Sequence, residues 1–433
     1  MIMSEKLPLL RELFSRIELG TQQRENDHEL PVEQVKELCR HGFTALRVPR
    51  DFGGLELDWY QTTELLIELA AADSAIPQIF RGHLAVVEDA RFHYEKDRHR
   101  AEQAGDEQSQ GGHVSTERSF KAHTYQERLR WFAQGQLVGN AWTEPGVGNL
   151  TGSQTQVKQV DKDSVRVTGQ KIYTTGSIFA DLLDVTAINE TGQEVTVLVP
   201  KAQDGVRVHD DWDGFGQQQS GTGAAELEQA VAPTSQVRPA IERFGYQTAL
   251  YQHVLNIAQA GTAQAAAAHA ARLLAERTRT YSHGNAPRAG EDPQLLAVVG
   301  QLHARAAAAK AVVLSTSAEL DAAARSATGS VAEQQAAFAA VERATAAAQL
   351  VVNELSLANG TALFDALGAS AVRKVTGLDR YWRNARTIAS HNPQVYKARI
   401  LGDFAVNQRT ADPLWSIGVS ERLQQEGAAA LEN

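Results

Sequence analysis

Leu9, Leu10, Leu13, Phe14 and Ile17 recur at helical spacing and predict a helix over residues 5–24. Pro31, at a helix start, introduces VEQVKELCRHGF, with Gly42 as its C-terminal cap. Gly53-Gly54 predicts a turn, followed by a helix to about Ala72 and another over residues 75–94. Residues 95–119 are almost wholly polar, contain a Gly-Gly and show no periodicity, which reads as a mobile surface loop or partly disordered insertion. From Leu137 to about Pro233 the period changes. QVKQV, SVRVTG, LLDVTAI, QEVTVLVP, GVRVHDDW and AAELEQAVAP are short alternating or β-branched runs between glycines, spaced for a small antiparallel barrel or sandwich. From about Ala240 helical patterning returns, rich in alanine, with long segments near 241–282, 292–326, 331–357 and 380–389. Alanine favours helix and close helix approach, so a four-helix bundle follows. The expected fold class is α+β: an N-terminal helical domain (1–136), a central β-domain (137–235) and a C-terminal helical bundle with a tail (236–433).

Composition narrows this little. The 433 residues are 43% hydrophobic and 22% charged, as in ordinary globular proteins. A formal charge of −10 argues against nucleic acid or an anionic membrane as the main partner. The single cysteine, Cys39, allows no intrachain disulfide and no cysteine cluster. The N-terminus has no apolar signal core and no run reaches membrane-spanning length, so the expectation is a soluble cytoplasmic protein.

Four stretches carry candidate chemistry. In GNAWTEPGVGNLTGSQT (139–155), a strand with Asn140, Trp142 and Thr143 leads into a glycine turn. In TGQKIYTTGSIFAD (168–181), Tyr173, Thr174, Thr175 and Ser177 cluster beside glycines. DWDGFGQQQSGTGAAELEQ (211–229) contains Trp212 and Phe215, which read either as a lid over a ring system or as core aromatics. The last is YWRNARTIASHNPQVYKARILGDFAVN (381–407), where Pro393 must stop any helix through Arg386 and leave His391 and Asn392 at a corner between two helices. No histidine or carboxylate pair has convincing metal-ligand spacing, so no metal is expected.

In order and spacing these stretches resemble the acyl-CoA dehydrogenase superfamily over nearly the whole chain. VPRDFGG is similar to its PxxYGG turn, Thr143–Gly148 to its TEPxxGS flavin motif, GQKIYTTG to its GxKxWITN strand and RNAR to its RDAR helix end. The departures point to one branch. Where dehydrogenases of one type carry a catalytic carboxylate, this chain has Asn392 after His391, and an amide cannot serve as a base. RxxFG is present only as RTRTYS (277–282), GGxGY only as ANGTALFD (358–365), and Ser-Asp after the flavin motif is replaced by Asn149-Leu150.

The ASHNP-like corner and YTTG-like strand resemble the two-component flavin monooxygenases of this fold. That resemblance implies reduced FMN (FMNH2) from a separate NAD(P)H:flavin reductase, O2 as co-substrate, a flavin C4a-hydroperoxide, and a small sulfur-containing or aromatic substrate. It implies a catalytic group of His391, Asn140, Thr174 and Asn392, with His391 stabilising or protonating the peroxide. It also implies cofactor contacts from Trp142, Thr143, Tyr173, Thr174, Thr175 and Arg279, and a pocket including His83, Phe215 and Tyr246. His83 reads equally as pocket or core. The resemblance further implies a homotetramer with the bundle at its centre. Two alternatives stay open: an FAD-dependent acyl-CoA dehydrogenase with a displaced glutamate, for which Glu242 is the candidate, and a DNA-associated member of the superfamily, against which the net charge argues.

Overall fold

The computed structural model describes residues 3–107, 116–146 and 154–410. Helices come first: α1 (Met3–Asp27), α2 (Val32–Arg40), α3 (Trp59–Ala72), α4 (Ile76–Glu107) and α5 (Thr116–Ala133). Gly42 follows α2 in the left-handed region at φ 86°. The start of α3 is set locally. The Asp58 carboxylate accepts from the Gln61 amide while Gln61 returns a bond to the Asp58 N–H, a reciprocal cap that satisfies two orphan donors.

One expectation fails in α4. Residues 95–107 continue the helix instead of forming a loop, and 116–119 begin α5; residues 108–115 lie outside the described residues. The solvated end of α4 is polar all round, and its Arg98 bridges Glu95 and Glu102 one turn away on either side. Such i,i+3 and i,i+4 pairs support a helix that has no apolar stripe to betray it.

Eight strands follow: β1 (Val138–Ala141), β2 (Gln156–Gln159), β3 (Ser164–Lys171), β4 (Leu182–Ile188), β5 (Glu194–Pro200), β6 (Val206–Val208), β7 (Ala225–Pro233) and β8 (Val237–Pro239). They form one sheet in the order β6-β7-β3-β2-β4-β5-β8, with β1 on β4. The expected antiparallel arrangement holds for most pairs, but the sheet is mixed. β1 runs parallel to β4, with Asn140 opposite Asp184, and β2 touches β4 in parallel at one position. Parallel pairing becomes available because β4 returns to β1 only after an intervening hairpin and loop, not a tight turn.

The bundle comprises α6 (Gln247–Glu276), α7 (Pro293–Arg325), α8 (Val331–Leu367) and α9 (Asp379–His391), with α10 (Gln394–Asn407) beyond Pro393. Small residues bring its layers close. A Cβ on Gly261 of α6 would lie 2.3 Å from the Ala70 Cβ of α3, and one on Gly82 of α4 would lie 3.1 Å from the Asn140 Cβ on β1. At Gly82 a helix therefore rests directly on the strand that carries a candidate site residue. Among the described residues, no helix is long and apolar enough to cross a membrane, and no group of three His, Cys, Asp or Glu side chains is placed to hold a metal.

Gly261→Ala is expected to push α3 from α6 and to lower the thermal unfolding midpoint, at a cost of about 1–3 kcal/mol. A midpoint equal to that of the parent would show that the contact can relax freely.

Candidate active site

A cavity of about 610 Å³ opens where the sheet, α4, α6 and the α9 corner meet. Its strand wall, formed by the end of β1 and the segments that follow β1 and β3, holds Asn140, Trp142, Thr143, Tyr173 and Thr175; Trp212, Phe215 and Gln217 close one side; Gln78 and Arg81 come from α4 and Gln247, Thr248 and Tyr251 from α6; His391 and Asn392 complete it.

The strand wall is held rigid by two of the sequence motifs locking onto each other. Lys171 (0% exposed) donates to Glu144 at 2.6 Å and also to Thr186 and to the Trp142 carbonyl. Glu144 accepts in turn from the Gln154 and Thr155 amides. The acid of TEPGVG and the lysine of GQKIYTTG are thus a buried structural pair; Val147 and Gly148 of the glycine turn lie outside the described residues. Behind the wall, Asp184 accepts from Trp142 Nε1 (3.0 Å) and from Arg243 (2.5 Å). Burial works against the Arg243 charge, but Asp184 and Asp89 outweigh it and hold the guanidinium above its usual range.

The RNAR segment is also structural. Arg383 donates to the Phe215 carbonyl, and the Asn384 side chain accepts from the Gln217 amide. These bonds pin the 211–223 loop to α9, where Phe215 stacks on Trp382 with ring centroids 6.0 Å apart.

At the corner, a relay of buried amides leaves one assignment. It is anchored at the Thr345 carbonyl, which can only accept. Asn256 Nδ2 donates there, so Asn256 Oδ1 accepts from Gln252 Nε2, and Gln252 Oε1 accepts from Asn392 Nδ2 at 2.7 Å. Asn392 Oδ1 is left facing His391 Nδ1 at 3.2 Å, so Nδ1 carries the hydrogen and Nε2 is the free acceptor. The exposed surface of His391 faces the cavity it lines. Surrounding protein, and after it the Arg81 charge, push its pKa down to about 3, so the ring is neutral near pH 7.

Several expected residues stand elsewhere. Thr174 is fully buried and its hydroxyl donates to the Gly223 carbonyl; its neighbour Thr175 lines the cavity instead, bonded to Thr222. Both lie in the turn that follows β3, where Tyr173 takes a positive φ of 56° and breaks the strand alternation. His83 is core: Nε2–H donates to the Thr44 carbonyl, Nδ1 accepts from the Val138 amide, and burial lowers its pKa to about 4. Tyr246 is fully buried and donates to Glu88, which also pairs with Arg47. Arg279 follows the far end of α6, about 38 Å along the helix from Tyr251 at 1.5 Å per residue, and donates to Tyr281. Glu242 pairs with Arg238 and does not line the cavity. Among the described residues lining the cavity there is no carboxylate. Glu342 is held behind the wall by Thr248, and burial raises its pKa. Residues 358–365 are part of α8, which runs past the expected end at 357, with Gly360 against the Trp382 backbone.

Three domain profiles match this chain in order: Acyl-CoA dehydrogenase, N-terminal domain (residues 12–99), middle domain (139–230) and C-terminal domain (254–394). The chain belongs to the acyl-CoA dehydrogenase family. Within it, the chain is 24% identical to a probable FMNH2-dependent monooxygenase, SfnC, of Pseudomonas putida, covering 94% of this chain and 96% of that one. It is 23% identical to dibenzothiophene monooxygenase of Mycolicibacterium goodii over 94% and 95%. In fold it is similar to TdsC of Paenibacillus sp. A11-2, solved with FMN and indole: TM-score 0.78, 24% identity, 95% of this chain and 99% of that one.

A flavin suits the donor set found here. Trp142, Tyr173 and Trp212 offer aromatic walls, and Asn140, Thr143, Thr175 and Gln217 offer a hydrogen-bonding edge; Gln217 Oε1 is buried without a hydrogen-bond partner. Gln78 and Arg81 were missed from sequence. The available signal was an arginine in the mainly apolar helical run IPQIFRGHLAVV, two residues and therefore about 200° around the helix from His83.

Asp184→Ala strands the Arg243 charge and is expected to destabilise the fold by about 3–5 kcal/mol. It should also release Trp142. Chemical denaturation and near-ultraviolet circular dichroism check both, and a variant with parent stability would refute this role for Asp184.

Proposed function

We propose that the chain is a two-component monooxygenase that takes reduced FMN from a separate NAD(P)H:flavin reductase and uses O2 to oxygenate a small sulfur-containing or aromatic substrate. The carrying observation is a cavity with no carboxylate on its described lining and a neutral His391 held in one tautomer by Asn392, which stands at the position where a dehydrogenase of one type keeps its base. With no carboxylate on the described lining and Glu242 turned to Arg238, the displaced-glutamate dehydrogenase lacks a base. The likeness to named FMNH2-dependent and dibenzothiophene monooxygenases supports the same reading.

Bound reduced FMN supplies two electrons and two protons, so that O2 yields one atom to the substrate and one to water. The chain supplies the surroundings. Trp142, Thr143, Tyr173 and Thr175 hold the ring system, with Asn140 beside them, and the aromatic side chains with the pinned Phe215 loop limit water. His391 accepts a hydrogen bond from a reacting O–H at Nε2; with a pKa of about 3 it is an acceptor, not an acid, near pH 7. Asn392 fixes that tautomer. Thr174 acts only by holding Gly223. The helical 358–365 segment supports FMN over FAD. Arg279 reaches a flavin phosphate only from a neighbouring copy in a homotetramer. Such an assembly has a suitable surface in the exposed Ala304, Ala307, Ala308 and Ala311 along one face of α7.

Incubation with FMN, NADH, a flavin reductase and ¹⁸O₂, over a panel of organosulfur and aromatic compounds, should give products heavier by one labelled oxygen. Bleaching of bound flavin by an acyl-CoA without oxygen, and no labelled product, would overturn the reading. His391→Gln should lower product formed per NADH by about 10²-fold or more. The parent rate should show no ionisation near pH 6.5, where an ordinary histidine titrates. Sedimentation equilibrium should give four times 47.0 kDa; a monomer would remove both the tetramer and the role given to Arg279.

A further inference from the structure

Arg81 is 6% exposed, yet among the described residues its guanidinium has no hydrogen bond and no ion pair; its neighbour is the Tyr251 ring, 5.3 Å away. Other buried arginines in this chain are partnered: Arg47 with Glu88, Arg24 with Asp73, Arg243 with Asp184 and Arg238 with Glu242. One turn before Arg81 on the same face of α4, Gln78 is 5% exposed, and its side-chain amide likewise has no partner among the described residues. Both side chains line the cavity, on the α4 side and not on the strand wall proposed for the flavin. The only charge on the described lining is therefore a buried cation beside a neutral amide, with His391 close enough to feel it.

A buried charge without a partner costs several kcal/mol, and one carboxylate-like group would offset that cost through two parallel N–H···O bonds. Arginine in place of lysine suits planar, bidentate recognition of an XO2⁻ group. Tyr251 does not discharge the site. Burial pushes its pKa up to about 12, so it stays a neutral phenol.

We infer that Arg81 and Gln78 bind the anionic head of the substrate, so that this enzyme takes a small organic monoanion, a carboxylate or sulfinate on an apolar body, and not a neutral heterocycle. The inference rests on the monooxygenase reading above, which supplies the reaction. The head group lies against α4, and the body extends toward Ile388 and the strand wall.

The test compares the parent with Arg81→Met and Arg81→Lys, all loaded with FMN. Titration calorimetry with benzoate, benzenesulfinate and the uncharged methyl phenyl sulfone reads binding directly. The parent should bind at least one of the two anions at least about tenfold tighter than the sulfone, as expected for hydrogen bonds to a charged group. Which of the two binds tighter identifies the head group. Arg81→Met should lose that preference while binding the sulfone and FMN within about twofold of the parent, and Arg81→Lys should recover part of it. The Met variant should unfold at or above the parent temperature without ligand, because a lone buried charge has been removed.

Equal binding of anions and sulfone by the parent overturns the inference. So does a loss of FMN affinity in Arg81→Met, which would make Arg81 a flavin contact, and so does a marked fall in its unfolding temperature, which would make it a structural cation. Labelled oxygen on neutral panel members alone would leave the monooxygenase standing and remove the anion site. No labelled product from any compound, with flavin bleached by an acyl-CoA, would remove the monooxygenase itself.

Discussion

The buried contact of Asp184 with Arg243 is the constraint on which the cavity depends. Asp184 lies on β4, opposite Asn140 in the parallel register with β1, and its carboxylate also receives Trp142 Nε1. Arg243 stands in the turn before α6 and bonds Gln247 at the start of that helix. One carboxylate thereby sets the strand wall against the helix that brings Gln247 and Tyr251. Both charges are out of water, so each makes the other's position obligatory: moving either leaves an unpaired charge in low dielectric.

The same economy runs through the motifs. Residues that look like cofactor contacts in sequence turn out to divide between contact and support. Glu144 and Lys171 bind each other, and Arg383 and Asn384 clamp a loop, whereas Trp142, Thr143, Tyr173 and Thr175 face the cavity. The histidine at the corner owes its tautomer to residues on two other helices, ending at the Thr345 carbonyl. A neutral imidazole whose Nε2 alone is free is a specific chemical object, and the surrounding protein together with the Arg81 charge keeps it so.

That division explains where sequence reading stops. Strand and helix types were legible, because period and β-branching report them. Within each element a phase error of one or two residues exchanges inside for outside. Thr174 and Thr175 are neighbours in the turn after β3, yet one bonds the Gly223 carbonyl in the core and the other lines the cavity. Arg81 and His83 differ by two helix positions, and the one that looked like chemistry is the core residue, held between Thr44 and Val138. The polar end of α4 misled for a related reason. Helix there rests on side-chain ion pairs and gives no apolar signal.

By itself the sequence determined the three-part order of helix, sheet and bundle, the break at Pro393 and the His391–Asn392 corner, since each follows from local backbone chemistry or hydrophobic period. Only the tertiary structure decided that β1 runs parallel to β4, that Glu242 faces Arg238, and that a buried Arg81 is the charge on the cavity lining. Those outcomes depend on which distant groups are brought within hydrogen-bonding distance once the layers pack, and no local pattern encodes them.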